Sequence, residues 1–317
     1  MGIDALPLSL LLLASTEPSL DASHKSSIAP ISQQPISELI YQESLLDGDV
    51  AELQDLCTDA SRFNMVQRMR EIRDQLMLVA PAPQSFEVVL DNARALMICK
   101  APTSAQTVLS RVGPAQGLQR REWLLLSWEA ANAALDHAGA SLALRRLVNG
   151  DLAALDQEVL PVAIDTDGTV QTRSAFDLLV EHEQAMGNSD AAISVLLASR
   201  TAGAVGAARL GIAADLLAEK GLNESIPLLE SALDQAAADE AWGLALDLLR
   251  LQLKLELAAG GDAKKPSRRL QRLARQVDDK FSLWQLIRQD KSQQEMAQDL
   301  NLLLRSPREP GGHAFSE

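Results

Sequence analysis

Residues Trp128 to Gly139 read W-E-A-A-N-A-A-L-D-H-A-G. One very large side chain is followed by a run of small residues, then by a leucine and a glycine. In a pair of helices, a large residue of the first helix enters the gap beside its partner, and a small residue one turn further lets the two backbones approach closely. The stretch therefore predicts a tightly packed helical hairpin.

The same spacing recurs along the chain. Copies contain Val89, Trp128, Phe176 and Ile212, and three of them are followed by a second segment of the A-x3-L, A-I-x2-L or S-I-x2-L type. The second segments that contain Ile193 and Ile226 are 33 residues apart. This interval indicates a helical repeat with a period of about 34 residues.

These copies resemble the tetratricopeptide repeat, whose pattern is W-x2-L-G-x2-Y, then A-x3-F and a closing proline. The resemblance covers about residues 84 to 277. The chain departs from the pattern at the family's tyrosine (Leu135, Glu183 and Leu216), at its glycine (Asn132, Val180 and Ala213) and at the proline, which is mostly missing. The resemblance implies an all-α fold, a right-handed α-solenoid of helix-turn-helix pairs with a concave groove. The alternative is a compact irregular helical bundle.

Short glycine breaks separate the helical segments. Glycine ends one helix because it accepts the left-handed conformation, and Asp, Asn or Ser then caps the next helix. The sequence shows this formula at Gly48-Asp49, Gly150-Asp151, Gly187-Asn188 and Gly221-Leu222-Asn223. Leu249–Leu257 alternates as a strand would, but its residues are helix formers. We therefore predict a buried helix there and no strand anywhere in the chain.

The chain is predicted to have three parts. A disordered tail covers residues 1–35, a solenoid of about five or six helical pairs covers 36–305, and a second disordered tail covers 306–317. Leu6–Ala14 in the first tail is apolar, too short to span a bilayer, and preceded by Asp4 where a secretory signal has a basic residue. A signal, a membrane tether, a misplaced start and a loosely docked tail remain open for this segment.

Composition limits the function classes. The net charge of −14 argues against general binding of nucleic acid, which relies on a basic surface. Cys57 and Cys99 are far apart in the sequence and form no C-x-x-C pair. We therefore predict neither a disulfide framework nor a zinc site, and we expect a reducing bacterial cytosol.

An enzymatic alternative comes from Val162–Val170, V-A-I-D-T-D-G-T-V. It resembles the first motif of the haloacid dehalogenase superfamily, which implies a phosphatase with Asp165 as nucleophile, Asp167 as general acid and a magnesium ion. That chemistry also requires a parallel sheet, and no strand and helix alternation follows Gln171. The other interpretation is an acidic turn between two helical pairs.

Two further sequence motifs resemble metal-binding sites but lack essential metal ligands. In a calcium loop that contains Asp165 and Asp167, Ala163 and Ser174 would occupy the first and closing positions, where acidic residues belong. His182-Glu183 begins like H-E-x-x-H, but Met186 replaces the second histidine. We expect no metal, no cofactor and no catalytic site.

Two charged surfaces are candidates for partner binding. The repeat register places acidic residues on the inner face of the first helices, which would attract a basic segment of a partner protein. These residues are Glu129, Asp136, Asp177 and Glu181. A solvated acidic face is the alternative interpretation.

The second surface is Lys264–Arg275, which contains six basic and no acidic residues. Its apolar residues form one helical stripe, and the arginines spread over the remainder: Arg268, Arg269, Arg272 and Arg275. An acidic partner, an anionic membrane surface or solvent could face them.

The sequence as a whole favours a non-catalytic scaffold for protein–protein interactions, an assembly factor or adaptor that holds a partner segment in the groove of the solenoid. The phosphatase and a peripheral membrane adaptor are the two alternatives.

Overall fold

The computed structural model describes residues 34–79, 83–113, 116–165, 168–288 and 291–304, and these residues form fifteen α-helices and two strands. The helices are α1 Glu38–Asp47, α2 Val50–Arg62, α3 Val66–Leu76, α4 Phe86–Ile98, α5 Pro102–Leu109, α6 Leu118–Ala133, α7 His137–Leu147, α8 Ala175–Ala185, α9 Ser189–Leu197, α10 Gly203–Glu219, α11 Ser225–Ala238, α12 Trp242–Ala258, α13 Lys264–Gln276, α14 Lys280–Ile287 and α15 Gln294–Leu304. Short 3₁₀ turns cover Leu152–Gln157 and Lys291–Gln293.

The helices stack in chain order. From α2 onward they form consecutive pairs, and each helix packs against its neighbours in the chain. The first helices of successive pairs also touch, α2 with α4, α4 with α6 and α10 with α12. The buried side chains form three core clusters that follow one another along the chain. This arrangement is an all-α solenoid, as the sequence predicts.

The described residues contain seven pairs, α2/α3 to α14/α15, where five or six are expected. The segment with repeat spacing, about residues 84 to 277, covers the five pairs from α4 to α13. The two further pairs lie at the ends of the stack, where terminal repeats are often atypical in sequence. The predicted tails fall almost entirely on residues 1–33 and 305–317, outside the described residues, and stay predictions.

The side chains of the Trp128–Gly139 stretch explain its composition. Trp128 is 3% exposed, and Ala131 and Ala140 are buried beside it. A Cβ atom added at Gly139 would lie 3.3 Å from the Ala131 Cβ and 2.4 Å from an oxygen of Asp136. Small residues are therefore required where α6 and α7 cross.

The prediction of a left-handed glycine is wrong at Gly48, which has φ −70 and an extended backbone. Gly187, Gly221 and Gly260 have positive φ at their turns. Other turns place a non-glycine residue in this conformation: Asn64, Lys100, Leu135, Glu240 and Asp278. In each turn the next N–H donates to a carbonyl five residues earlier, for example Asp136 to Ala131 at 2.8 Å. This hydrogen bond closes the helix, so the turn geometry persists without glycine.

Leu135→Gly is expected to stabilise the protein by about 0.5–1 kcal/mol, because it removes left-handed strain that exceeds the entropic cost of glycine. Leu135 has φ 58 and is 75% exposed, so little packing is lost. The control is Leu142→Gly, at an exposed position inside α7, which should destabilise by about 1 kcal/mol. Urea denaturation measures both, and a loss of stability in Leu135→Gly would contradict the strain argument.

The prediction that no strand occurs is wrong. Strands β1 Val159–Ile164 and β2 Val170–Ser174 form an antiparallel hairpin between α7 and α8. Leu160 is buried and Val162 half-buried against the core cluster that contains α8. Packing on one side, together with several β-branched residues, stabilises a hairpin that would be marginal alone.

The predicted helix at Leu249–Leu257 is confirmed as part of α12. Leu249 is buried, as predicted, whereas Leu257 at the other end is 64% exposed. The apolar stripe of this helix therefore leaves the core in its last turn.

The expectation that the cysteines stay unpaired is also wrong. Cys57 of α2 and Cys99 at the end of α4 form a disulfide, with their Cα atoms 5.0 Å apart. They are 42 residues apart in the sequence. The stacking of α2 on α4 brings them together. Because structural disulfides are typical of oxidising compartments, cysteine usage no longer supports a reducing cytosol. Among the described helices, none is both long and apolar enough to cross a bilayer.

Candidate partner-binding groove

A groove of about 340 Å³ runs between α8 and α10, the first helices of adjacent pairs. Val205 and Ile212 of α10 lie in it and are 50% and 44% exposed. They are seven residues, or two helical turns, apart, so they share one face of the helix. Exposed aliphatic side chains in a concavity are a feature of surfaces that bind other molecules.

Two of the predicted acidic residues, Asp177 and Glu181, line this groove. Each forms an ion pair within the chain. Asp177 accepts a hydrogen bond from Arg209 Nε at 2.9 Å, and Glu181 accepts one from Arg173 Nη1 at 2.8 Å. The groove wall therefore carries paired charges and is not the uncompensated acidic strip that the sequence suggests.

Arg209 is the central residue that the sequence analysis missed. Its side chain is 5% exposed and pairs with Asp156, which is 7% exposed. Its Nη1 donates to Ser199 at 2.7 Å, and its guanidinium lies 4.1 Å from the centre of the Phe176 ring. Burial alone would lower the pKa of Arg209, but hydrogen bonds to Asp177 and Asp156 raise it. Arg209 is therefore a permanent positive charge beneath the groove.

The other two predicted acidic residues do not line this groove. Glu129 is exposed on α6, but the surrounding protein partly desolvates its carboxylate. This desolvation raises its pKa, and the charge of Arg94 opposes the shift. Asp136 caps α7, because its carboxylate accepts from the Gly139 N–H at 3.0 Å and from Gln106 Nε2 at 2.8 Å. The structure thus gives Asp136 a structural role, and the prediction that either residue contacts a partner stays a prediction.

His182 and Glu183 belong to a buried layer that joins α6, α7 and α8. Trp128 Nε1 donates to His182 Nε2 at 3.3 Å, and His182 Nδ1 faces His137 Nδ1 at 3.1 Å. Because indole nitrogen only donates, His182 Nε2 is the acceptor and a neutral ring carries its proton on Nδ1. Burial, followed by the charge of His137, lowers the pKa of His182. The ring is therefore held in its neutral form.

Glu183 stands at the position of the tetratricopeptide tyrosine and is 4% exposed. It accepts from Ser141 Oγ at 2.7 Å and from Arg145 Nη2 at 2.7 Å, and Asn188 donates to its other oxygen. Burial favours a higher pKa for Glu183, but these hydrogen bonds outweigh burial and lower it. A charged network therefore replaces an aromatic contact at this position.

The predicted basic helix is α13. Arg269 pairs with Glu230 of α11, Nη1 to Oε2 at 2.7 Å. Burial favours a higher pKa for Glu230, but hydrogen bonds from Gln252, Arg269 and Lys265 lower it to about 2. The other three predicted arginines are exposed to solvent: Arg268, Arg272 and Arg275.

The hairpin contains the first aspartate of the dehalogenase-like motif. Asp165 follows β1 directly and accepts a hydrogen bond from Gln171 Nε2 at 2.7 Å. The sheet is antiparallel, whereas the resemblance requires a parallel one. Asp167 lies outside the described residues. Within the described part of the chain, no three His, Cys, Asp or Glu side chains are grouped so that they could hold a metal ion.

The chain matches no family model and no curated protein. Among solved structures it is similar to a "circular tandem repeat protein with novel repeat topology and enhanced subunit contact surfaces". The identity is 15% and the TM-score 0.17, over 84% of this chain and 73% of that chain. The class of this protein, an all-α helical-repeat solenoid, follows from its own helix packing.

Proposed function

We propose that this protein is a non-catalytic interaction scaffold that holds a segment of a partner protein in the groove between α8 and α10. The observation that carries the proposal is the pair of half-exposed aliphatic residues, Val205 and Ile212, in a groove of about 340 Å³. An apolar side chain of the partner that covers them would remove aliphatic surface from water. An assembly factor or adaptor works in this way.

The proposal includes divergent tetratricopeptide repeats. The 33-residue interval between Ile193 and Ile226 and the contacts between successive first helices support it. Glu183 takes the place of the family's tyrosine, and its network with Ser141 and Arg145 supplies the contact between adjacent pairs that a tyrosine would otherwise provide.

The groove also favours a basic residue in the partner segment, next to its apolar side chain. Glu181 is half exposed, and its ion-pair partner Arg173 is 44% exposed, so a basic side chain can compete for this carboxylate. Asp177 is less accessible to such competition, because its partner Arg209 is buried. We therefore assign the basic preference to Glu181.

Ile212→Asp is expected to lower the recovery of the partner about tenfold in affinity capture from the native cell, because it places a charge on the apolar wall. Leu142→Asp is the matched control, since Leu142 is 48% exposed on α7, outside the groove. Glu181→Lys should weaken the binding of the same partner. A photo-crosslinking residue at Ala208 tests whether that partner occupies the groove. Equal recovery of the partner by Ile212→Asp and by the wild type would exclude this groove as the binding site.

A further inference from the structure

The outer side of α13 carries a row of exposed basic side chains. Lys264, Arg268, Arg272 and Arg275 are exposed, and their side chains form no ion pair and no hydrogen bond with any residue that the structure describes. At 100° per residue, these four positions fall within a narrow arc of the helix and extend for about 17 Å along it. We call these four residues the α13 basic row.

The row is separate from the part of α13 that stabilises the fold. Pro266, Leu270 and Ala274 are buried on the opposite side of the helix. Lys265 and Arg269 are directed to Glu230 of α11. The helix therefore uses two of its six basic residues to hold its neighbour. The other four have no side-chain partner among the described residues, in a protein with a net charge of −14.

An exposed row of cations attracts anions, and the surroundings of the row limit the size of the anion that fits it. Asp262 lies before α13 and Asp278 after it, and both are exposed. A long anion, such as a nucleic acid duplex, would extend past the row and meet these carboxylates. A short acidic segment would contact the row alone.

The row also lacks the apolar residues that a membrane contact uses. Peripheral membrane helices combine basic residues with exposed aromatic or aliphatic side chains that enter the bilayer. In α13 the fully buried apolar side chains pack into the core, and Leu273 is half-buried. The observations favour a polypeptide over a lipid surface.

We propose that the α13 basic row binds a short acidic segment of a partner protein through its carboxylates. The site is separate from the groove between α8 and α10, which belong to the two preceding pairs and offer apolar and acidic groups. A protein with both sites can hold two segments of different chemistry. This is a property of a scaffold that brings partners together. A substitution that abolishes binding at one site should leave binding at the other intact.

The test is fluorescence anisotropy with a fluorescein-labelled peptide of six Glu-Ala repeats, and six Gln-Ala repeats as the uncharged probe. We expect binding of the acidic peptide only. Arg272→Glu should weaken it about tenfold, Arg272→Lys should change it less than about twofold, and a rise from 50 to 300 mM salt should weaken it by about tenfold. Arg146→Glu, at an exposed arginine on the second helix α7, is the matched control and should leave binding within about twofold.

Three results would overturn the proposal. The first is no measurable binding of the acidic peptide at 50 mM salt. The second is an equal loss in Arg272→Glu and Arg146→Glu, which would show attraction to any surface cation. The third is tighter, Arg272-dependent binding of a DNA duplex or of phosphatidylserine vesicles than of the peptide. Because Arg272 and Arg146 are both exposed, circular dichroism should show an unchanged fold in every variant.

Discussion

Trp128→Ala is expected to lower the free energy of unfolding by about 3–5 kcal/mol. The indole is 3% exposed and packs in the central core cluster with Ala131 and Ala140. These neighbours are small and helical, so they cannot move inward to fill the space that the indole leaves. The substitution also removes the Nε1–H that donates to His182, the link between α6 and α8 across the inserted hairpin.

Trp128→Phe separates the contribution of the buried apolar volume from that of the hydrogen bond to His182. Phenylalanine keeps most of the buried apolar volume and loses the hydrogen bond, so we expect a smaller loss of about 1–2 kcal/mol. Hydrogen exchange should show the loss of protection in Trp128→Ala mainly in α6 to α8, because a solenoid transmits stability between neighbouring pairs. A loss below about 1 kcal/mol in Trp128→Ala would show that the W-x2-A spacing does not determine this packing.

The helical pairs are predictable from sequence because the forces that form them act over short distances along the chain. Trp128, Ala131 and Gly139 lie within one hairpin, so their spacing is sufficient to predict its packing. The same holds for the N-cap of α2, where Asp49 and Glu52 form the expected reciprocal hydrogen bonds. The left-handed turn at Leu135 is harder to predict, because leucine gives no local signal for that conformation and the closing hydrogen bond stabilises it.

The features that the sequence analysis missed depend on distant contacts. Cys57 and Cys99 meet only because α2 stacks on α4. The hairpin at residues 159–174 depends on a packing site for Leu160 that α8 supplies. Asp177 and Glu181 both line the groove, but their arginine partners come from β2 and α10. A repeat register places residues on a face and does not show which side chains from other elements neutralise them.

One feature of the sequence indicates that Arg209 is unusual. It is the only charged residue in the segment 202–214. A single arginine among alanine, glycine and aliphatic residues indicates a buried charge that needs a partner. Its partner Asp156 is 53 positions away, before the hairpin. The pairing could not be inferred because the path of the chain between the two residues was predicted incorrectly.

Arg209→Met is expected to lower the free energy of unfolding by about 3–5 kcal/mol, because it leaves the carboxylate of Asp156 buried without its counterion. Asp177→Asn removes the second ion pair of Arg209, but Asp177 is 40% exposed, so we expect a loss of no more than about 1 kcal/mol. Urea denaturation of the two variants measures this difference. Similar losses in both would mean that burial of Asp156 does not dominate the network.

The double variant Arg209→Met with Asp156→Leu tests the physical cause of the stability loss in Arg209→Met. If the cost in Arg209→Met comes from an unpaired buried charge, removal of Asp156 as well should restore most of the lost stability, since an apolar pair of similar volume can replace a buried ion pair. If the cost comes from lost packing of the guanidinium on Phe176, the double variant should be as unstable as Arg209→Met or worse. The first outcome would show that Arg209 is required because Asp156 is buried, and that the charge pair can be exchanged as a unit without loss of the solenoid.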